Sequence, residues 1–440
     1  MKSLAFRLLP FLLLPASAAN AKDEWPQWRG PTGQGHALDA TDLPVEWSET
    51  KNVAWKTPVP GRGHSSPVIS DDRIWLTTAL ETPASEAAAA ERLKTNTGDQ
   101  PLVLLAEVRL QAISFDRETG EIDRTLDLLT VKDPQWVHAL NSYATPTPIL
   151  EDGRLYAHFG SFGTVCVDLR SGDIVWKNTD PSLQVMHENG PGSTAVLWRD
   201  RLIFHLDGSD RQLVAALDKN TGKIAWTRER SGAMRENPQQ RKSYATPLIV
   251  EVNGKAQLVS PGADWLYGYD PADGRELWKI AYGELGFSNV PRPVAGDGML
   301  FLSTGFGKTE IQAFRLKADG SPELAWREKK GAPRMPSPLL AGAELFFVSD
   351  NGILSCLDAK TGEVRYQERL GGNFSASPLL ADGKLYLFSR EGIATVLNPG
   401  PKFEKLGENT LDAGHFASVS AVEHALYIRT EKALYRIEKP

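Results

Sequence analysis

Cysteine is almost missing from this chain, with two in 440 residues. That excludes a scaffold stapled by several disulfides, and no cysteine pair stands at the spacing that holds zinc. Long apolar runs are missing too. The one candidate, Leu8–Leu14, falls far short of the roughly 20 residues a bilayer span requires. There is no block of Lys and Arg, and the formal charge is −6, so neither nucleic acid nor an anionic membrane is expected as a main partner. A P-loop, a His-Glu-Xaa-Xaa-His zinc helix and a Gly-Xaa-Ser-Xaa-Gly elbow are all absent, and with them the usual signatures of nucleotide, metalloprotease and serine-hydrolase chemistry. Asp207-Gly-Ser-Asp210 resembles part of a calcium loop but lacks the remaining ligands, and reads as a turn.

What is present begins with an export signal. Met1–Arg7 is basic, Leu8–Leu14 is apolar, and Ala19-Asn-Ala21 offers a small-x-small cleavage site. Residues 1–21 therefore read as a signal peptide and the mature chain is expected to start at Lys22, periplasmic or extracellular. Loss of Lys2 and Arg7 takes the formal charge from −6 to −8. No cysteine lies near the cleavage site, so no lipid anchor is expected.

The body of the chain repeats a phrase. Asp168-Leu-Arg-Ser-Gly172 leads to Trp176, Asp218-Lys-Asn-Thr-Gly222 to Trp226, Asp270-Pro-Ala-Asp-Gly274 to Trp278, and Asp358-Ala-Lys-Thr-Gly362 to Tyr366. Variants stand at Asp116–Arg124 and Leu316–Trp326. A second phrase precedes it: Pro148 to Tyr156, Pro338 to Phe346 and Pro378 to Tyr386 each run an apolar strand into a tight turn and out into an apolar-aromatic strand. The turn Asp can bond the amides ahead of it and the Gly accepts positive φ. Each unit thus reads as four antiparallel strands, a to d, with an aromatic on d packing between units.

Such a period predicts an all-β, eight-bladed β-propeller of four-stranded antiparallel blades. Strand-a anchors at Pro67, Pro148, Ala195, Pro247, Pro293, Pro338, Pro378 and Val419 make eight. The last unit ends at Pro440 without a strand d, and an orphan strand d lies near Lys51–Thr57. The ring is therefore expected to close by an N-terminal strand in the last blade, leaving no open edge. Residues 22–46 form an extension packing on the propeller, which spans 47–440. An insert about 82–101 with a helix-forming stretch, Ser85–Lys94, is a lid or a solvated excursion. Cys166 and Cys356 fall at one register in blades two and six, across the ring, and are expected to be buried free thiols.

Function should lie where the copies differ. The d-to-a connections converge on one mouth of a propeller, where ligand sites form. The candidates there are Arg62, His64, Asn141, Tyr143, His187, Glu188, Asn189, Arg241, Tyr244, Asn289, Arg292, Arg334, Asn373 and His415. A funnel rich in Arg, His, Asn and Tyr, with Glu188 almost alone among carboxylates, suits an anionic or peptide-like ligand, or a protein partner, without a metal.

The two phrases resemble the pyrrolo-quinoline quinone (PQQ) repeat, and Trp25-Pro-Gln-Trp-Arg-Gly-Pro31 resembles the start of exported bacterial PQQ-like propellers. The resemblance covers nearly the whole mature chain. It implies either of two functions, since the family holds quinoprotein alcohol and sugar dehydrogenases, which bind PQQ and calcium at the axis, and noncatalytic scaffolds, such as the lipoprotein that assists outer-membrane protein assembly. Several of the dehydrogenases carry an adjacent cysteine pair, missing here, and Glu188-Asn189 is the best local match to their calcium ligands. The expectation is a noncatalytic binding or scaffolding module with no cofactor. The alternative is an oxidoreductase dependent on PQQ and calcium.

Overall fold

The computed structural model describes residues 24–96, 98–282 and 286–440; the signal-peptide reading of residues 1–21 lies outside them. Eight antiparallel sheets of four strands follow one another around a ring. Blade one comprises Val68–Ser70, Arg73–Pro83, Leu105–Asp116 and Ile122–Lys132. Blade seven ends the continuous series with Leu379–Ala381, Lys384–Phe388, Ile393–Leu397 and Lys405–Thr410. Blade eight takes Ser420–Val422, Ala425–Arg429 and Ala433–Ile437 from the C-terminus and Val53–Pro58 from the N-terminus. Val53 pairs with Ile437 and Pro58 with Ala433. The N-terminal closing strand is thus in place, starting two residues and ending one residue later than the Lys51–Thr57 expected from the sequence.

The repeated phrase is a lock between blades. In Asp218-Lys-Asn-Thr-Gly222 the Asp218 carboxylate accepts from the amides of Asn220 and Thr221 at 3.0 and 2.9 Å. Gly222 then turns with φ +70° and lies flat under the indole of Trp176 from the preceding blade. The same indole donates Nε1–H to Lys219 O at 3.0 Å. Trp226 repeats this over Gly274 and Pro271 O, and Trp326 over Gly362 and Ala359 O. Trp55, on the closing strand, does it across the seam, over Gly120 with Nε1 donating to Arg117 O at 3.1 Å. Blade one has Arg124 and blade seven Gly407 where the other blades have an aromatic, and the Arg124 guanidinium reaches Leu169 O at 2.9 Å in the next turn.

The lock makes a paired prediction. Gly222→Ala must adopt a left-handed backbone, costing ~1–2 kcal/mol, and must displace an indole, adding ~1–3 kcal/mol of overpacking. Gly153 has φ +72° but nothing within 4 Å of its would-be Cβ. Gly153→Ala should therefore show the backbone cost alone. Equal losses in urea titrations of the two variants would refute the lock.

Both cysteines are buried and free, in blades two and six, and burial pushes Cys166 up to about 11 and Cys356 to about 12. The insert is tied to the ring rather than loose in solvent. Its helix, Glu86–Leu93, capped by Ser85, buries no residue. However, Arg92 bonds Leu105 O and Pro134 O, and Leu102–Val103 pairs with Val137–His138. The excursion braces the wall of the d-to-a loops.

Residues 24–52 take an unusual course. Trp25 exchanges backbone bonds with Ile69 of blade one at 2.9 and 2.8 Å, and Pro26 O accepts from Leu150 of blade two. Gln34 Oε1 accepts from Ala295 of blade five, the Arg29 guanidinium donates to Pro338 O beside blade six, and His36–Ala37 pairs in parallel with strand a of blade seven. Five innermost strands touch one short segment, so it lies in the axial channel. The chain then runs outward between blades seven and eight, where Trp47 stacks on Tyr386 and Phe388, and becomes strand d of blade eight. No helix among the described residues is long and apolar enough to cross a membrane.

Candidate functional site: a blind axial funnel

The residue before each strand-a anchor, two before the strand itself, carries a hydroxyl in seven of eight blades: Ser66, Thr147, Thr194, Thr246, Ser337, Ser377 and Ser418. Its amide faces the neighbouring blade, where it would be buried without a partner. The next blade's hydroxyl accepts it: Ser66 N to Thr147 Oγ1 at 2.9 Å, Thr147 N to Thr194 Oγ1 at 3.1 Å, Thr194 N to Thr246 Oγ1 at 3.0 Å, Ser337 N to Ser377 Oγ at 3.0 Å, and Ser377 N to Ser418 Oγ at 3.1 Å. Blade five breaks the pattern with Arg292. Its amide still donates to Ser337 Oγ at 2.9 Å, but its guanidinium turns to the axial segment, to Gly33 O at 3.0 Å and Trp28 O at 3.4 Å.

Above this belt lies a cavity of about 450 Å³, walled by residues of all eight blades, with the Trp28 indole as its floor. Trp28 Nε1 donates to the belt at Ser418 Oγ, 3.3 Å away. The axial segment thus makes the funnel blind. The volume is that of a pocket for one small ligand or an inserted side chain.

Of the candidates from sequence, His64, Asn141, Asn189, Tyr244 and Arg334 line this cavity. His64 stacks on Phe416, centroids 4.7 Å apart, and burial with Arg429 and Arg62 nearby pushes its pKa down to about 3. Asn141 donates to Asn189 O at 2.8 Å, and Tyr244 to His187 O at 2.6 Å, which fixes that wall. Arg334 lies over Phe306, 5.3 Å from its centroid.

The others stand outside the lining. Arg62 spends its guanidinium on Ala139 O. Tyr143 is buried and donates to Gln135 O at 2.8 Å. His187 is buried and accepts from Ser161 N at 2.8 Å. Glu188 is buried with Oε1 on Ser209 Oγ, 2.9 Å away. Arg241 holds Arg235 O and Glu236 O of its own loop. Asn289 is buried and donates to Gly262 O. Arg292 clamps the axial segment. Asn373 pairs with Glu391 at 2.8 Å, and His415 is buried against Ser389 O.

Several lining residues escaped the sequence reading: Trp28, the hydroxyl belt, Phe306, Asp350 and Arg390. The last three come from the b-to-c connections of blades five, six and seven, which share this face of the ring with the d-to-a loops. Their signal was present as non-repeating residues in otherwise regular hairpins. Asp350 accepts from Arg334 N at 2.6 Å, and burial raises its pKa. Arg390 lies 5.8 Å from the Phe416 centroid.

The donor set does not fit a calcium-held quinone. Calcium takes six to eight oxygens, several from carboxylates. The cavity supplies one carboxylate, Asp350, and Glu188 faces Ser209 behind the wall. Among the described residues no group of three His, Cys, Asp or Glu stands ready to hold a metal.

Ring, locks and blind funnel define a closed PQQ-like β-propeller. The family described as outer membrane protein assembly factor BamB matches residues 32–228, 210–337 and 315–400, and the chain belongs to that family. It is 26% identical over 265 residues to the BamB of Yersinia pestis and 25% over 281 residues to that of Salmonella typhimurium, covering 56% and 57% of this chain. These matches span 61% of each relative's length. It is also 28% identical over 185 residues to the quinohemoprotein alcohol dehydrogenase ADH-IIG of Pseudomonas putida, covering 38% of this chain and 23% of that one. The BamB structure from Moraxella catarrhalis superposes with a TM-score of 0.53 at 13% identity, over 76% of this chain and all of that one. A europium-containing methanol dehydrogenase gives 0.52 at 11%, over 86% and 89%. At these identities the structural matches speak for the fold alone.

Proposed function

We propose that this protein is an exported binding or scaffolding module, without catalytic activity of its own, whose axial funnel receives an anionic or peptide-like group from a ligand or protein partner. The observation that carries the reading is the lining itself: two arginines, Arg334 and Arg390, laid on the aromatic faces of Phe306 and Phe416, against one carboxylate. A cation held over a ring on the loop face of a largely apolar pocket favours a carboxylate with an apolar body. Relatives named as assembly factors support a partner of protein nature, and His64, Asn141, Asn189 and Tyr244 would supply the polar contacts.

The test is a titration with short peptides bearing free C-terminal carboxylates and with aromatic carboxylates, followed by tryptophan fluorescence through Trp28. Saturable binding should weaken at least tenfold in Arg334→Ala/Arg390→Ala, with a melting temperature within a few degrees of the parent, since exposed changes cost ~0.5 kcal/mol or less. Arg241→Ala should leave binding unchanged. Binding indifferent to the double variant would remove the anionic reading. Calcium-dependent dye-linked oxidation with added PQQ, lost on Glu188→Gln, would replace it with an enzyme.

A further inference from the structure

The hydroxyl belt is a ring of donors at the inner end of the funnel. Ser66, Thr147, Thr194, Thr246, Ser377 and Ser418 all line the cavity. Five of these six oxygens already accept an amide from a neighbouring blade, and Ser418 Oγ takes the Trp28 indole as well. A hydroxyl so engaged keeps its one proton for a different partner. Among the described residues none of the six donates that proton to a protein group. The Ser66 hydroxyl bonds no protein group in either sense, yet it is not sealed off, so it opens on the cavity. Six O–H groups therefore ring the floor without a protein acceptor.

Positive charge is packed beside the same belt. Arg29 donates to Pro338 O at 2.8 Å, next to Ser337. Arg292 donates to Pro247 O at 3.0 Å, next to Thr246, and Arg429 to Ser65 O at 2.9 Å, next to Ser66. All three arginines are buried, and among the described residues none has a carboxylate partner. Arg230 shows the contrast, since it is as deeply buried but forms a bidentate pair with Asp207 at 2.7 Å on both oxygens. The three cations do not touch the cavity. Their field does reach it, because buried charge is screened far less than surface charge. Free donors set in a positive field select an anion.

We propose that the funnel takes a ligand carrying two carboxylates, the outer held by Arg334 and Arg390 and the inner seated on the hydroxyl belt. This rests on the reading of the mouth as a carboxylate receiver and adds a second, deeper subsite to it. Leu140, Val290 and Met335 elsewhere in the lining suit a hydrocarbon or peptide body between the two charges. A small free dicarboxylate and a protein tail ending in Asp or Glu share that chemistry.

Linear dicarboxylates from succinate to azelate, each compared with its monomethyl ester, test the inner subsite by Trp28 fluorescence and calorimetry. The diacid of fitting length should bind about tenfold tighter than its ester, or more. Ser66→Ala should narrow that gap at least about threefold with the melting temperature unchanged, because this hydroxyl holds no protein group. Equal affinity of every diacid and its ester, or a gap that Ser66→Ala leaves intact, overturns the inner subsite. Ester binding that needs Arg334 and Arg390, with no gain from the second carboxylate, removes this proposal alone. Ester binding indifferent to Arg334→Ala/Arg390→Ala removes the mouth reading and the two-ended ligand with it. Peptides ending in Glu, set against the same peptides ending in Gln, separate the two sources. A gain there as well identifies a protein tail, and a gain confined to the free diacids identifies a small dicarboxylate.

Discussion

Acidification from pH 7 to pH 5 should unfold the protein. His158, His187, His205 and His415 are buried, at 3%, 4%, 2% and 0% exposure. Burial pushes their pKa values down, to about 3 for His158, about 4 for His187 and His415, and well below the ordinary value for His205. The geometry agrees. Among the described residues His158 Nε2 and His415 Nε2 have no partner, and His187 Nε2 already accepts from Ser161 N. A proton added to any of them would point at no acceptor.

These groups are neutral when folded and gain protons near pH 6.5 when unfolded, so stability rises with pH across the window and is lost as pH falls below about 6.5. At pH 5 each costs about 2 kcal/mol, and four together approach the whole stability of an ordinary domain. Asp350 and Glu81, whose pKa values burial raises, act in the opposite sense. Thermal melts across this range should fall steeply below pH 6.5. A melting temperature flat down to pH 5 would show that these histidines are solvated in solution.

Removal of the chain up to Pro60 should leave no stable monomer. The truncation deletes strand d of blade eight and so exposes the edge Ala433–Ile437. It strips Gly120 of the Trp55 indole and empties the axial channel of Trp25 and Arg29. A ring with an open seam also presents a sheet edge for pairing with other chains. Trp55→Ala gives the graded version, at about 3–5 kcal/mol for a truncated aromatic. Size-exclusion chromatography of the truncated protein checks the larger effect, and a well-folded monomer would sink the closure argument.

The fold was legible because propeller blades repeat. Asp218, Gly222 and Trp226 perform in blade three what their counterparts perform elsewhere, so one phrase fixes many turns. The funnel was only half legible. His64, Asn141, Asn189, Tyr244 and Arg334 were found because d-to-a loops must converge. Asp350, Arg390 and Phe306 sit in b-to-c hairpins that share the same face, and that geometry is invisible to a reading along the chain. Tyr143, His187 and Asn289 have the same composition signal as true lining residues. They differ only in which way the side chain turns once packed, and the sequence carries little of that. The tryptophans near the N-terminus announced burial, but their destination on the axis depends on contacts with five separate blades.

The seam has one further consequence, for the order of events during folding. The chain is synthesised N-terminus first, yet Val53–Pro58 finds its partner only at Ala433–Ile437, and Trp47 rests on Tyr386 and Phe388. Such contacts of long sequence separation form late and slowly. Until blade seven emerges Trp47 lacks its ring partners, and until the final blade emerges Val53–Pro58 has no strand to pair with, and a nascent chain in that state is prone to aggregation. The device that leaves the finished ring without an edge therefore lengthens the interval in which a holding chaperone is needed.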